Sequence, residues 1–405
     1  MTRALLLAAA LATGAACTRT TELIADSTAT CVAPGPLVHL GGTGGSACAG
    51  AIAAQAARYA LCSCNDVVLT GNVFVNSFGT SLGRGDQTSS PSPWPDGHPV
   101  DGLLPESFFA AIGTDGNWQV LGHADIPGTL VVAGAGDVQF GRPSHILGNA
   151  RFAGPSSPTS ALWISGDAFV ASDVTGGVVV GGTLHVPAAA TIAASVSARS
   201  VAREPVAVAP PCDCAAGHVL DIVTAVLARR TNNANVFLPF SDDVLDDVET
   251  PQSLDWPCGE YYLDTLRTGD GGALELRIHG HVGIFVAGDV RLGDTFTVTL
   301  DPGSTLDLVV AGSFYTTGHV FGSPTSPART RLWVGSTTVS LPAQSQFGAF
   351  VYAPEADFLA GADLAFSGSL FVGKLSVDGD VHIDYDPALT QAGDECGAAA
   401  PAAVE

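Results

Sequence analysis

The feature that most constrains this chain is a short phrase that keeps returning: a β-branched or aromatic run that stops at a small residue. It is written Leu130 to Gly134 (LVVAG), Leu162 to Gly166 (LWISG), Val178 to Gly182 (VVVGG), Ile284 to Gly288 (IFVAG), Leu308 to Gly312 (LVVAG), Leu332 to Gly335 (LWVG), Phe350 to Pro354 (FVYAP) and Leu370 to Gly373 (LFVG). Within each cluster the phrase recurs about every 16 to 32 residues. A short strand with a glycine corner cannot bury its apolar face alone; stacking on the next copy does so, which is the pattern of a β-solenoid. A β-sandwich is the alternative, but its turn signals fall about every 8 to 12 residues. LVVAG followed by GPSSPTSALWISG (154–166) also parallels LVVAG followed by GSPTSPARTRLWVG (322–335). The expected fold is mainly β: a parallel β-solenoid (β-helix-like) in two related halves, 65–205 and 258–388, with a few short helices.

The helices border cysteines. Ser46 to Leu61 is rich in small residues, places Cys48, Ile52, Ala56 and Tyr59 on one stripe, and runs into Cys62-Ser63-Cys64. Cys212-Asp213-Cys214 opens a second helix, with Val219, Val223, Val226 and Leu227 at helical spacing, Arg229 and Arg230 at the negative end of its dipole, and Asn232 and Asn233 as stop signals. This second helix belongs to an insert, 206–257, that also holds the acidic stretch Ser241 to Thr250, expected as a solvated helix face. The Ser- and Pro-rich segment 88–99 reads as loop and 389–405 as a disordered tail.

The first 16 residues have the parts of an export signal: Arg3, the apolar stretch Leu5 to Ala12, and Gly14, Ala15 and Ala16 before Cys17. Small residues ending in cysteine resemble a bacterial lipobox, with Cys17 as the acylated residue, although Gly14 stands where Leu is usual. Ordinary secretion by cleavage after Ala16 is the alternative. On the lipobox reading, 17–64 is a lipid-anchored N-terminal segment. Setting Cys17 aside leaves Cys31, Cys48, Cys62, Cys64, Cys212, Cys214, Cys258 and Cys396, an even set that reads as a disulfide framework in an oxidising compartment. Closure within one C-x-C is strained, so bridges are expected from one C-x-C to the other, or to Cys48 and Cys258. The net charge of -23, with Lys374 the only lysine, repels nucleic acid and anionic polysaccharide and excludes them as favoured partners.

Chemical motifs are sparse. Val38 to Gly45 (VHLGGTGG) lacks the lysine of a phosphate loop, and no serine sits in G-x-S-x-G. His279-Gly280-His281 is expected to set two imidazoles on one strand face, facing solvent. In the run Asp378-Gly379-Asp380, His382, Asp384 and Asp386, alternation sets the last three on one face as weak candidates for a calcium or transition-metal site. A charged final coil that blocks edge pairing is the stronger expectation for the same residues. No catalytic residue is nominated, and no cofactor beyond a weakly supported Ca2+.

The segments IFVAGDV, LDLVVAGSF, PARTRLWVG, FGAFVYAPEADF, GSLFVGKL and HIDYDPAL, between Ile284 and Leu389, resemble the C-terminal domain of an uncharacterised family of bacterial surface proteins and lipoproteins. Cys48 to Cys64, ending ALCSC, and the following Asn76-Ser77-Phe78 resemble its amino-terminal part. That resemblance implies a non-enzymatic, structural or adhesive envelope lipoprotein of a Gram-negative bacterium, held in the outer membrane by its N-terminal lipid and facing surface matrix or neighbouring envelope proteins. An extracellular calcium-dependent β-helix enzyme acting on carbohydrate is the alternative.

Overall fold

The computed structural model describes residues 35, 37–40, 48–77, 110–215, 217–269, 272–293 and 295–396. The leader, Cys17, Cys31, the 88–99 segment, the tail beyond 396 and the Cys396 side chain lie outside the described residues. Among the described residues all strands join one parallel sheet of 29 strands wound into a solenoid. Each coil supplies strands to three stacked columns, here faces C, A and B. Gln252–Trp256, Ala273–Ile278 and Thr295–Leu300 open face C; Gly259–Leu263, His281–Val286, Thr305–Val310 and Thr330–Val334 stack on face A; Leu266–Arg267, Val290–Leu292 and Phe314–Thr316 stack on face B. Ser345–Ala360 and Leu364–Val377 each run round a whole coil.

Side chains alternate across a strand, so one set from every face fills the interior. Because coils repeat at the inter-strand spacing of about 4.8 Å, like side chains stack. Phe296, Phe321, Phe347 and Phe366 are consecutive partners inside face C, with successive ring centroids 5.0, 4.2 and 5.6 Å apart. Corners are held differently. Asp and Asn side chains accept from the backbone N–H of the next coil: Asp363 from Asp380, Asp380 from Asn72 (2.8 Å), and Asn72 from His123 (2.9 Å). Part of the chain's acidity therefore serves its corners. Glycine completes them, since a Cβ on Gly71 would lie 2.2 Å from the Gly379 carbonyl carbon.

Chain order and spatial order differ. Leu61–Ser63, Val67–Leu69 and Val73–Ser77 form one coil that pairs on one side with Leu364–Val377 and Val381–Tyr385, and on the other with Ile112–Thr114, Trp118–Val120 and Ala124–Ile126. The chain thus enters the solenoid in its middle and winds to Ser197–Arg203 at one end. It then returns along the outside of the stack, turns Leu245 and Val248 into the core at the other end, and restarts at Gln252–Trp256. From there it winds back until Val381–Tyr385 meets Val73–Ser77.

This corrects one expectation directly. Asp378 to Asp386 is not a terminal coil, because Val381–Tyr385 is paired on both sides in the middle of the stack. Among the described residues the outermost strand at that end of the chain's first pass is Ser197–Arg203, and Arg203 closes it by donating to the Pro187 and Ala190 carbonyls. The paired phrases also part company. Leu162 stacks between Ser144 and Val178 on face C, whereas Leu332 stacks on Leu308 on face A.

The helices cover face A. Helix α1 spans Ala49–Ala56 and α2 spans Ile222–Arg229, with Asp221 capping α2 by accepting from the Thr224 N–H (2.9 Å). The buried positions of α1 are Ala49, Gly50 and Ala53, set off from the expected stripe, and Val223 and Leu227 of α2 are exposed. With a 3-10 helix at Pro387–Cys396, these elements lie over an outward row of face A. The row runs Tyr262, Phe285, Val309, Trp333, Tyr352, Phe371 and Cys62, one residue per coil. Strands buried on both sides read as continuous apolar runs, and His281–Val286 and Thr305–Val310 are buried at every position.

Candidate functional site

Two places concentrate chemistry: the junction where the return segment crosses the chain's first coil, and an outward row of face C. At the junction the sequence left two bridging schemes open, and the structure joins pair to pair. Cys62 bonds Cys212 and Cys64 bonds Cys214, each across 150 residues, with Cα atoms 5.7 and 5.6 Å apart. Cys48 and Cys258 are also disulfide-bonded.

Beside these bridges lies a cleft of about 430 Å³. Its floor is three successive rungs of the face A row, Tyr352, Phe371 and Cys62; its walls are Ile52 and Ala56 of α1 and the return segment from Pro211 to Asp221. Arg58, Asp213 and His218 add polarity, with the His218 Nδ1 2.6 Å from the Asp213 carboxylate. Burial pushes the Tyr352 and Tyr59 hydroxyls above their usual pKa, and the Tyr352 hydroxyl accepts from the Leu220 N–H (3.1 Å). Burial also raises the Asp115 carboxyl, against the lowering effect of its hydrogen bond from the Cys212 N–H. An apolar floor with a few polar groups above it is the usual form of a small-ligand site.

The second place is a row of register partners: His382, Phe74, Asp125, His145, Trp163 and Val179. His382 stacks on Phe74 at 4.8 Å and His145 packs on Trp163 at 4.8 Å. Beside Asp125 stands His123. Its Nε2 is 2.8 Å from one Asp125 oxygen, and the His145 Nδ1 is 3.1 Å from the other. These three ligating groups lie within 4.8 Å of one another.

The metal candidates read from sequence fare differently. His382 and Asp384 do point outward, but His382 stacks on Phe74 and Asp384 accepts from the Asn76 amide (3.3 Å). Asp386 leaves their face: it is fully buried and accepts from the Ala388 N–H (3.0 Å) at the start of the 3-10 helix. The three are therefore not assembled as one site. His279 and His281 are also separated. Gly280 turns the corner between faces C and A with φ +87°, leaving His279 exposed between Asp255 and Asp301 and His281 buried against Thr305. The acidic stretch forms a short 3-10 turn, Asp242–Leu245, in place of a helix face.

One buried cluster was not legible in the sequence. Arg331 grips Asp307 through Nε and Nη2, both at 2.7 Å, and the Trp333 indole donates to the same carboxylate at 2.8 Å. Asp307 and Arg331 are 0% and 1% exposed, on the covered side of face A.

Residues 215–392 match a family described as a domain of unknown function (DUF7305). The match takes in α2 and the whole second pass of the chain through the solenoid, and stops short of the first pass. Neither comparison with curated proteins nor comparison with solved structures returns a match.

Proposed function

We propose that this chain is an exported, lipid-anchored, non-enzymatic protein of the bacterial envelope, a structural or adhesive scaffold. The observation that carries the reading is the way the molecule is closed. Its first coil is held between its two passes, and the return segment is fixed to that coil by two disulfides. Such bridges persist in oxidising compartments, which fits the leader and Cys17. A closed stack of this kind resists unwinding from its middle, as a spacer or platform must. Its coils over 138–203 offer outward rows that include Arg151, Phe169 and His185 on face A and His145, Trp163 and Val179 on face C.

Replacing Cys17 with Ser in the producing cell should move the protein from the membrane to the soluble envelope fraction, and surface labelling of intact cells should modify the unsubstituted protein. The tag-free protein should bind isolated envelope or matrix material and lose that binding when Phe169 and Trp163 are both changed to Ala. Release of unsaturated sugars from a polysaccharide panel in calcium, abolished by chelator, would overturn the scaffold reading in favour of the carbohydrate-active one.

A further inference from the structure

We propose that His123, Asp125 and His145 form a binding site for one divalent transition ion of the zinc class on the outer side of face C. Two imidazoles and one carboxylate are the donor set that such ions take, leaving a fourth position for water or a ligand atom. The donors already converge. The His123 Nε2 and His145 Nδ1 approach opposite oxygens of Asp125 at 2.8 and 3.1 Å. With metal–ligand bonds of roughly 2.0–2.1 Å, neighbouring donors of a tetrahedral site are about 3.4 Å apart. The two nitrogen–oxygen contacts would open by about 0.3 to 0.6 Å, and the two imidazole nitrogens lie within 4.8 Å of each other.

The surroundings hold the rings as ligands need to be held. The His123 Nδ1 lies against the Pro143 carbonyl, and its Nε2 faces the Asp125 carboxylate. A metal-bound histidine typically gives its other N–H to a carbonyl, and the Pro143 carbonyl stands where such a partner would. His145 is packed on Trp163 and lies 5.7 Å, edge-on, from the His123 ring. The His123 backbone N–H is fixed by Asn72 (2.9 Å), the last rung of the corner ladder. Asp125 and His145 are direct register partners, so their separation is set by the coil spacing. The side chains are 26%, 48% and 28% exposed in the order His123, Asp125, His145, so an ion can reach them from solvent.

The test uses the full exported protein, tag-free, with disulfides intact, stripped by chelator and titrated calorimetrically with Zn2+. One equivalent should bind, and His145→Gln, His123→Gln and Asp125→Asn should each weaken it by about tenfold or more. Co2+ should give a visible tetrahedral band that each substitution removes. All three side chains lie at the surface, so thermal unfolding of the metal-free variants should match the parent. His279→Gln, at the other imidazole flanked by two carboxylates, should leave binding unchanged. Ni2+ gives a reading without those variants: it should quench fluorescence in the parent and not in Trp163→Phe. The proposal is overturned if neither Zn2+ nor Co2+ binds, if the three substitutions leave affinity unchanged, or if His279→Gln alone abolishes it.

Discussion

Leu130 to Gly134 and Leu308 to Gly312 are the same five letters on the same face of the solenoid, six coils apart, in different surroundings. Val309 lies under α2 within a continuous apolar row from Tyr262 to Cys62. Val131, itself buried, belongs to the same row beyond Cys62, and only after it do Arg151, Phe169 and His185 follow, whose side chains meet solvent. The strand chemistry is equal in the two places, and both strands are buried; their neighbours along the row differ. Where helices lie over face A, outward positions are aromatic or aliphatic, and even a charged pair is sealed in. Past Leu130–Val132 the face A strands alternate, as in Ala150–Phe152, whose middle residue Arg151 is exposed.

The contrast is sharpest for charged groups. Asp307→Asn should cost about 3–5 kcal/mol, because it leaves Arg331 buried with its partner charge removed. Arg151→Ala on the uncovered coils loses an exposed stack on Phe169, 4.4 Å away, and should cost no more than about 1 kcal/mol. Denaturant unfolding of the two variants measures the difference, and equal costs would show that the cover does not seal face A.

Replacing Cys212 and Cys214 together with Ser should cost about 2–5 kcal/mol, less than twice the value of one bridge because both close nearly the same loop. Limited proteolysis should then cut first between 204 and 221, where the cover has lost its pins.

Gly71→Ala, at the coil shared by the two passes, forces a Cβ against backbone and should cost about 1–3 kcal/mol. Gly177→Ala, whose new carbon would meet its nearest neighbour at 3.7 Å, should fall within about 0.5 kcal/mol of the parent.

The smallest effect is acid-dependent. The Asn72 backbone N–H, which binds Asp380 across the same junction, holds that carboxyl below its usual pKa. A lowered carboxyl stabilises the fold above the unfolded-state value and loses that contribution as pH falls through the folded one. The group is near solvent, so the contribution is under about 1 kcal/mol. Asp380→Asn should reduce the drop in urea midpoint between pH 7 and pH 3, and an unchanged drop would place the acid-sensitive contact elsewhere.

The solenoid itself was legible because its phrase repeats: each strand carries alternating apolar residues and stops at a small corner residue, a local signal. Register was less legible. LWISG and LWVG look equivalent as text, yet coil length sets them on different faces. The same uncertainty hid the His123, Asp125 and His145 cluster. Asp125 and His145 are each followed by isoleucine, the inward partner, and are 20 residues apart, but only a known coil length turns that spacing into adjacency. Asp386 misled for a related reason: alternation ends at Tyr385, and the chain turns its next carboxylate inward to start a 3-10 helix.

The sequence by itself determined a parallel β-solenoid with glycine corners, since strand period and turn chemistry are written locally. Only the tertiary structure decided which coil lies in the middle, which cysteines meet, and which half of face A is covered. Those depend on a chain that returns across the outside of its own stack, and contacts between residues 150 or 300 positions apart leave no periodic trace in the text.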